Sequence, residues 1–190
     1  MARALERHLG DAAPAQITEL GAGDGTFLLR LAKIIRPRWS NVRATLLDLQ
    51  NNLSSGSLAG FAALGWRAEA VVANVFDWPQ SKEAGEVTVT NLFLHHFEDA
   101  KLAELLRLIA ERASLFIAVE PRRAAWPLFC SRLLWAIGCN EVTRHDAVVS
   151  VRAGFSGGEL SALWPDKPDW RLTEQRAGMF SHLFIAQKIR

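Results

Sequence analysis

Ile17-Thr18-Glu19-Leu20-Gly21-Ala22-Gly23-Asp24-Gly25-Thr26 predicts an apolar strand that runs into a glycine-rich turn and opens a helix. Glycines at alternate positions permit positive φ angles and leave no Cβ between the backbone and a ligand. The following helix, over residues 26–35, directs its first N–H groups and the positive end of its dipole toward this turn. We therefore expect a ligand on the main chain of the turn, with a polar or anionic group at the helix N-terminus.

The glycine spacing bears on three possible roles for this turn, which are two kinds of nucleotide-binding site and a simple tight turn. Rossmann-type dinucleotide sites have the pattern G-x-G-x-x-G, in which the third glycine packs the helix on the strand. Gly21 and Gly23 fit this pattern, but the third position is Thr26. The observed pattern is E-x-G-x-G-x-G, which begins at Glu19.

The run from Glu19 to Gly25 resembles the first motif of the class I S-adenosylmethionine-dependent methyltransferases. The resemblance implies S-adenosylmethionine as cofactor, with S-adenosylhomocysteine as product. It also implies that Glu19 orients the loop and the amino group of the cofactor. The loop would pass under the methionine part of the cofactor through Gly21, Ala22, Gly23 and Gly25.

Composition and charge favour one soluble globular domain. The 190 residues are 49% hydrophobic and 22% charged, and the net charge is only +2. No run of basic residues is longer than Arg122-Arg123, so we predict no nucleic-acid partner. Residues 1–10 lack a signal-peptide pattern, and the apolar stretch 124–139 is shorter than the roughly 20 residues that span a bilayer, so we predict no membrane partner. The two cysteines would lie about 13 Å apart along one helix, which indicates reduced thiols and a cytoplasmic protein.

Strands and helices alternate along the chain and predict an α/β fold. We expect a Rossmann-like, doubly wound, seven-stranded sheet, mostly parallel, with an antiparallel C-terminal hairpin and helices on both faces. The cofactor should lie over the ends of the first, second and fourth strands, where the strand order reverses. We predict a single methyltransferase domain with four parts: a short N-terminal helix (1–13), a cofactor-binding core (14–137), a substrate-side connection and helix (138–165) and the hairpin (166–190).

The ends of the second and third predicted strands carry candidate cofactor ligands. Asp48, followed by Leu49, ends the strand 42–49 and lies 23 residues after Gly25, close to the roughly 20-residue offset of ribose-binding acids. The alternative for Asp48 is a cap on a helix at Asn51 or Asn52. After the strand 66–75, the resemblance implies that Asn74 or Asp77 binds the adenine amino group, and we favour Asn74 with the Val75 N–H on the ring.

The predicted strand 86–94 resembles the family's fourth motif. The resemblance implies that Asn91 and Leu92 line the cofactor and that His96 begins the next loop. Adjacent residues on an extended chain point to opposite faces, so we do not expect His95 and His96 to hold a metal together. His96 is either a structural hydrogen-bonding group or a catalytic one.

The connection 138–156 concentrates polar side chains before a helix around 158–163. We hypothesise that His145, oriented by Asp146, or failing that His96, accepts a proton from a hydroxyl acceptor. Arg144 is a candidate substrate ligand, and a solvated Arg144–Asp146 pair is the alternative. The apolar helix 124–137 either lines a substrate cavity or forms a homodimer contact.

The aromatic side chains of Trp126 and Phe155 indicate that the methyl acceptor is a small aromatic or apolar molecule. We expect it to be methylated on oxygen or carbon. Residues 143–146 and 150–155 most resemble bacterial methyltransferases linked to polyketide or quinone-type metabolites. Two other functions are a nucleotide-dependent oxidoreductase, which Thr26 disfavours, and a non-catalytic module that binds S-adenosylmethionine.

Overall fold

The computed structural model describes residues 1–35, 39–78, 86–132, 148–165 and 168–189. Its helices are α1 (Ala2–Leu9), α2 (Thr26–Ile35), α3 (Ser55–Ala63), α4 (Asp99–Arg112), α5 (Ala125–Arg132) and α6 (Glu159–Leu163). Its strands are β1 (Gln16–Leu20), β2 (Arg43–Asp48), β3 (Arg67–Val72), β4 (Glu86–Asn91), β5 (Ala113–Pro121), β6 (Trp170–Ala177) and β7 (Ser181–Lys188). Short 3-10 turns cover Val75–Asp77 and Leu94–His96, and residues 148–153 are helical.

One sheet joins the seven strands of the described residues, in the order β3-β2-β1-β4-β5-β7-β6. The first five strands are parallel, and β7 runs antiparallel to both β5 and β6. The predicted α/β fold with its C-terminal hairpin is confirmed. The order reverses between β1 and β4, so a crevice opens at the carboxyl ends of these two strands.

Two apolar clusters cover the two faces of the sheet. Ile17, Val87 and Ile117 project to the face that α1, α2 and α3 cover. On the opposite face, Phe116 and Phe184 pack against α4 and α6. Each central strand is therefore buried on both sides, which is why its sequence is a continuous apolar run rather than an alternating one.

Two strands end earlier than the sequence predicts, and both ends lie at the carboxyl edge of the parallel strands. β3 stops at Val72 because the Asn74 side chain accepts a hydrogen bond from the Phe76 N–H at 3.0 Å and starts a 3-10 turn. β4 stops at Asn91 because Leu92 adopts φ 55°, in the left-handed region. Backbone strain of this kind is concentrated at functional sites.

Thr90 is expected to destabilise the fold through its hydroxyl group. The residue is fully buried on β4, and its Oγ1 has no hydrogen-bond partner in the part of the chain that the structure describes. A buried hydroxyl without a partner loses its hydrogen bonds to water and gains none in the fold. Thr90→Val should therefore raise the free energy of unfolding by about 1 kcal/mol. Urea denaturation measures this change, with Thr173→Val on the edge strand β6 as the control. A stability loss in Thr90→Val would show that the hydroxyl is paired.

Candidate functional site

The glycine-rich loop is fastened to the end of β2 by its own backbone. The N–H groups of Gly21 and Ala22 donate to the Leu47 carbonyl at 2.9 and 3.1 Å, and the Gly23 N–H donates to Asp48 Oδ2 at 2.9 Å. The φ angles of Gly21, Gly23 and Gly25 are 71°, 54° and 75°. The predicted left-handed turn is therefore formed, and it lies at the carboxyl ends of β1 and β2.

Two of the glycines leave room for neighbouring side chains. A Cβ on Gly21 would lie 2.2 Å from the ring of Phe93, which therefore packs directly on the loop from the end of β4. A Cβ on Gly25 would lie 2.6 Å from Leu53. Gly25 thus serves packing against the β2–α3 connection, whereas Gly23, with open space around it, leaves backbone accessible to a ligand.

Two of the N–H groups that the sequence predicts to be free at the N-terminus of α2 are bound to carboxyl groups of the chain. The Thr26 N–H donates to Asp24 Oδ1 at 3.0 Å, and the Leu28 N–H donates to the Glu19 carboxyl group. Hydrogen bonds from the Thr26 hydroxyl and the Thr26 N–H hold the pKa of Asp24 below its usual range. Two protein carboxyl groups thus cap the first turn, and the polar or anionic ligand group expected at this helix end stays a prediction.

Glu19 is a buried acid beneath the loop. The residue is 2% exposed, and burial raises its pKa to about 8, assisted by the nearby charges of Asp24 and Asp48. Its Oε2 is buried without a hydrogen-bond partner among the described residues. A cationic group placed near this oxygen would supply the missing partner and favour the ionised carboxylate.

Glu19 should make the stability of the ligand-free chain fall as pH rises. Its pKa is about 8 in the folded chain and 4.5 in the reference state. Between these pH values the folded chain binds a proton that the unfolded chain has lost, and the stability that this proton contributes declines as pH increases. We expect the free energy of unfolding to fall, relative to Glu19→Gln, by on the order of 3 kcal/mol between pH 5 and 8. Urea denaturation of both proteins across this range measures the difference, and a constant difference would contradict the raised pKa.

Asp48 stands at the carboxyl end of β2, where its two oxygens are already oriented. Oδ2 accepts from the Gly23 N–H, and Oδ1 accepts from the Gln50 N–H at 3.0 Å. It does not cap a helix at Asn51 or Asn52, because Ser54 is the N-cap of α3. Each carboxylate oxygen retains a further acceptor position, which is the requirement for holding two adjacent hydroxyl groups.

A cavity of about 170 Å³, the loop cavity, opens beside this loop. Five residues that the sequence predicts as cofactor ligands line it: Gly21, Asp48, Leu49, Asn74 and Val75. Three phenylalanines that the sequence analysis did not single out complete the lining: Phe76, Phe93 and Phe97. Their rings touch edge to face, with centroids 5.1 and 5.7 Å from that of Phe97. The phenylalanines give the loop cavity an apolar wall opposite the Asp48 carboxylate.

The other predicted residues fall into three groups. Asn91 and Leu92 end β4 at the crevice, and Leu92 is half exposed. Phe155 is buried beside the end of β5, and Trp126 on α5 is 53% exposed. Arg144, His145 and Asp146 lie outside the described residues, so their substrate-binding and catalytic roles stay predictions.

A buried carboxylate–histidine pair was missed by the sequence analysis. Glu120, the penultimate residue of β5, has no exposed surface and accepts hydrogen bonds from the Phe93 and Leu94 N–H groups at 3.0 and 2.9 Å. Its other oxygen lies 2.8 Å from His95 Nδ1. A polar residue at the end of an otherwise apolar strand was the available signal, since carboxyl ends of neighbouring parallel strands meet at one edge.

His96 extends this pair toward solvent. Its ring packs on that of His95 with centroids 4.1 Å apart. Burial, followed by the neighbouring His95, lowers the pKa of His96 below its usual range. The imidazole is therefore neutral at pH 7, and the choice between a structural and a catalytic role for His96 stays a prediction.

Solved structures share this architecture. The chain superposes on the plantazolicin methyltransferase BpumL in complex with S-adenosylhomocysteine with a TM-score of 0.69 and 14% identity, covering 97% of this chain and 79% of that one. The chain has the class I methyltransferase fold. A S-adenosylmethionine-dependent methyltransferase from Aquifex aeolicus shares this methyltransferase fold with a TM-score of 0.65 and 12% identity, over 97% and 88% of the two chains. The small RNA methyltransferase HEN1 matches with a TM-score of 0.68 and 9% identity, over 100% of this chain and 25% of that one.

No family model and no curated protein matches the sequence. The methyltransferase fold is common to enzymes that are named for different substrates, so the acceptor must be argued from the site. Within residues that the structure describes, no group of three His, Cys, Asp or Glu side chains could hold a metal ion. Over the same ranges, the helices are too short or too polar to cross a membrane.

Proposed function

We propose that this chain is an S-adenosylmethionine-dependent methyltransferase that acts on a small aromatic or apolar metabolite. The observation that carries the proposal is the unpaired, buried Oε2 of Glu19 beneath a left-handed glycine loop that Asp48 fastens. S-adenosylmethionine is a cation with an ammonium group and a ribose, and it supplies an electrophilic methyl group when bound. The loop offers an acid for each of these two parts of the cofactor.

Residues beneath the glycine loop and in the lining of the loop cavity would bind different parts of the cofactor. Glu19 would partner the ammonium group, and its high pKa means that binding at pH 7 releases a proton from its carboxyl group. Asp48 would accept from both ribose hydroxyls. Asn74 lines the cavity, whereas Asp77 is exposed and is not part of the lining, which supports Asn74 and the Val75 N–H as the adenine contacts.

The capped helix favours this cofactor over a dinucleotide. A pyrophosphate needs free N–H groups at the start of the helix after the glycine turn. In this chain Asp24 and Glu19 occupy the Thr26 and Leu28 N–H groups. The ionised Asp24 carboxylate at that position would also repel a phosphate, which disfavours the oxidoreductase alternative.

We assign proton acceptance from a hydroxyl acceptor to His96 within the described chain. The neutral imidazole of His96 lies on the loop after β4, and the buried His95–Glu120 pair fixes the position of that loop. Positioning of the acceptor and exclusion of water supply most of the acceleration in such a displacement, about 7–11 kcal/mol. The base contributes a smaller factor of about 10²–10⁴.

Transfer of isotope-labelled methyl groups tests the proposed function. The purified chain would be incubated with S-adenosylmethionine carrying a labelled methyl group and a panel of phenols, naphthols and quinols. We expect label in an ether or C-methyl product, and loss of that label in Asp48→Ala. Turnover that persisted in a protein lacking both His96 and His145 would remove the base from the proposal. Binding of the cofactor without transfer to any acceptor would support the non-catalytic binding module instead.

A further inference from the structure

A second cavity, of about 320 Å³, adjoins the loop cavity and shares the side chain of Phe97 with it. We name it the α6 cavity, because Glu159, Ala162 and Leu163 of that helix line it. Phe155 and Ala153 close it from the segment before α6, and Asp99 and Arg123 bring charges from the first residue of α4 and the end of β5. The two cavities therefore have Phe97 in common.

The walls of the α6 cavity are held by the backbone. The Phe155 N–H donates to the Pro121 carbonyl at 2.9 Å, and the Arg123 N–H donates to the Phe155 carbonyl at 2.9 Å. A Cβ on Gly154 would lie 2.3 Å from the Pro121 oxygen, so only glycine allows this approach. The start of α6 is fixed as well, since the buried Glu174 carboxylate accepts from the Leu160 and Ser161 N–H groups. The cavity is thus a preformed space of small-molecule size.

The charges of the cavity are unfavourable for an anion. Arg123 donates to Glu159 Oε1, and the Ser156 N–H donates to Glu159 Oε2 at 3.0 Å. Arg123 and Glu159 thus form a partly exposed ion pair in which the Glu159 carboxylate compensates the Arg123 charge, while the planar guanidinium retains further N–H donors. Asp99 adds a negative charge at the same wall.

We infer that the α6 cavity is the acceptor site and that it selects a neutral aromatic molecule bearing a carbonyl or hydroxyl oxygen, rejecting carboxylates. Phe97 and Phe155 would contact the ring, and the compensated guanidinium of Arg123 would donate to the oxygen. This inference rests on the proposed function, because it places the acceptor beside the cofactor cavity.

The inference is tested by binding of two probes that share a naphthalene ring and differ in charge. 2-Naphthol is neutral at pH 7, whereas 2-naphthoate is ionised, and their affinities can be measured by ligand-observed NMR with and without saturating S-adenosylhomocysteine. We expect 2-naphthol to bind at least tenfold more tightly than 2-naphthoate, with no displacement by S-adenosylhomocysteine. Ala162→Leu, which fills the cavity from an exposed helix position, should weaken the binding of 2-naphthol at least tenfold. Ala62→Leu on α3 should leave that binding unchanged.

Two variants and a control test whether the α6 cavity selects its ligand by charge. Glu159→Gln leaves the Arg123 charge uncompensated and should reduce the preference for 2-naphthol at least fivefold, and Asp99→Asn should reduce it in the same direction from a different element. Glu104→Gln on the surface of α4 is the control. Equal affinities for the two probes in the unmodified chain, displacement of 2-naphthol by S-adenosylhomocysteine, or an unaffected Ala162→Leu protein would each overturn the inference. The same titrations report S-adenosylhomocysteine binding directly, so failure of the cofactor proposal is seen separately.

Discussion

Glu120→Ala is expected to lower the free energy of unfolding by about 3–5 kcal/mol. The Glu120 carboxylate is fully buried and accepts three hydrogen bonds, from the Phe93 and Leu94 N–H groups and from His95 Nδ1. Truncation leaves two backbone N–H groups and an imidazole without a partner in an apolar region. Because these groups fix the loop after β4, the loss should spread to Phe93, which packs on Gly21. Urea denaturation followed by tryptophan fluorescence measures the effect.

Two further variants separate the hydrogen bonds of Glu120 from a general effect of removing a carboxylate. Glu120→Gln keeps an oxygen for the two N–H groups and should lose less than Glu120→Ala. Glu104→Ala removes a surface carboxylate that pairs with Lys101 on α4, and it should change stability by less than about 0.5 kcal/mol. A Glu120→Ala protein as stable as Glu104→Ala would show that the buried pair contributes nothing to the fold.

Asp48→Ala is expected to weaken S-adenosylhomocysteine binding by about 100-fold, or about 2.7 kcal/mol. The carboxylate is already aimed by the Gly23 and Gln50 N–H groups, so it would meet the ribose hydroxyls without reorganisation. Alanine removes both charge-assisted hydrogen bonds and also releases the Gly23 N–H from its anchor. Calorimetric titration measures the dissociation constant directly.

Asp77→Ala is the matched control for Asp48→Ala. Asp77 is an exposed acid at the same edge of the sheet, and it lies outside the loop cavity lining. Its removal should change the affinity by less than about twofold, the scale of a screened surface charge. A large loss in Asp77→Ala would move the adenine contact from Asn74 to Asp77, and an unchanged affinity in Asp48→Ala would remove the ribose assignment.

The sequence predicted the parts of the site whose residues are neighbours in the chain. The left-handed turn follows from the alternate glycines, Asp48 follows from its place at the end of a strand, and Asn74 follows from the resemblance to the methyltransferase family. The mostly parallel sheet with helices on both faces and its C-terminal hairpin were also predictable, because strands and helices alternate and the last two strands are joined by a short turn. Element ends were less predictable, since the Leu92 left-handed conformation depends on its N–H bond to Val119 across the sheet.

Contacts between distant strands could not be predicted from local patterns. Glu120 and His95 are 25 residues apart, and only the register of β4 on β5 brings them together. The packing of Phe93 on Gly21 was missed for the same reason, because nothing in the neighbouring sequence distinguishes a functional phenylalanine after a strand from any other. The capped N-terminus of α2 depends on the buried Glu19 side chain turning under the loop, which the motif pattern alone does not describe.

A calorimetric titration of the unmodified chain with S-adenosylhomocysteine, repeated with NAD, tests the central claim most directly. The methyltransferase proposal predicts micromolar binding of S-adenosylhomocysteine, release of a proton at pH 7 from Glu19, and no binding of NAD. Binding of NAD together with no binding of S-adenosylhomocysteine to the folded chain would contradict it.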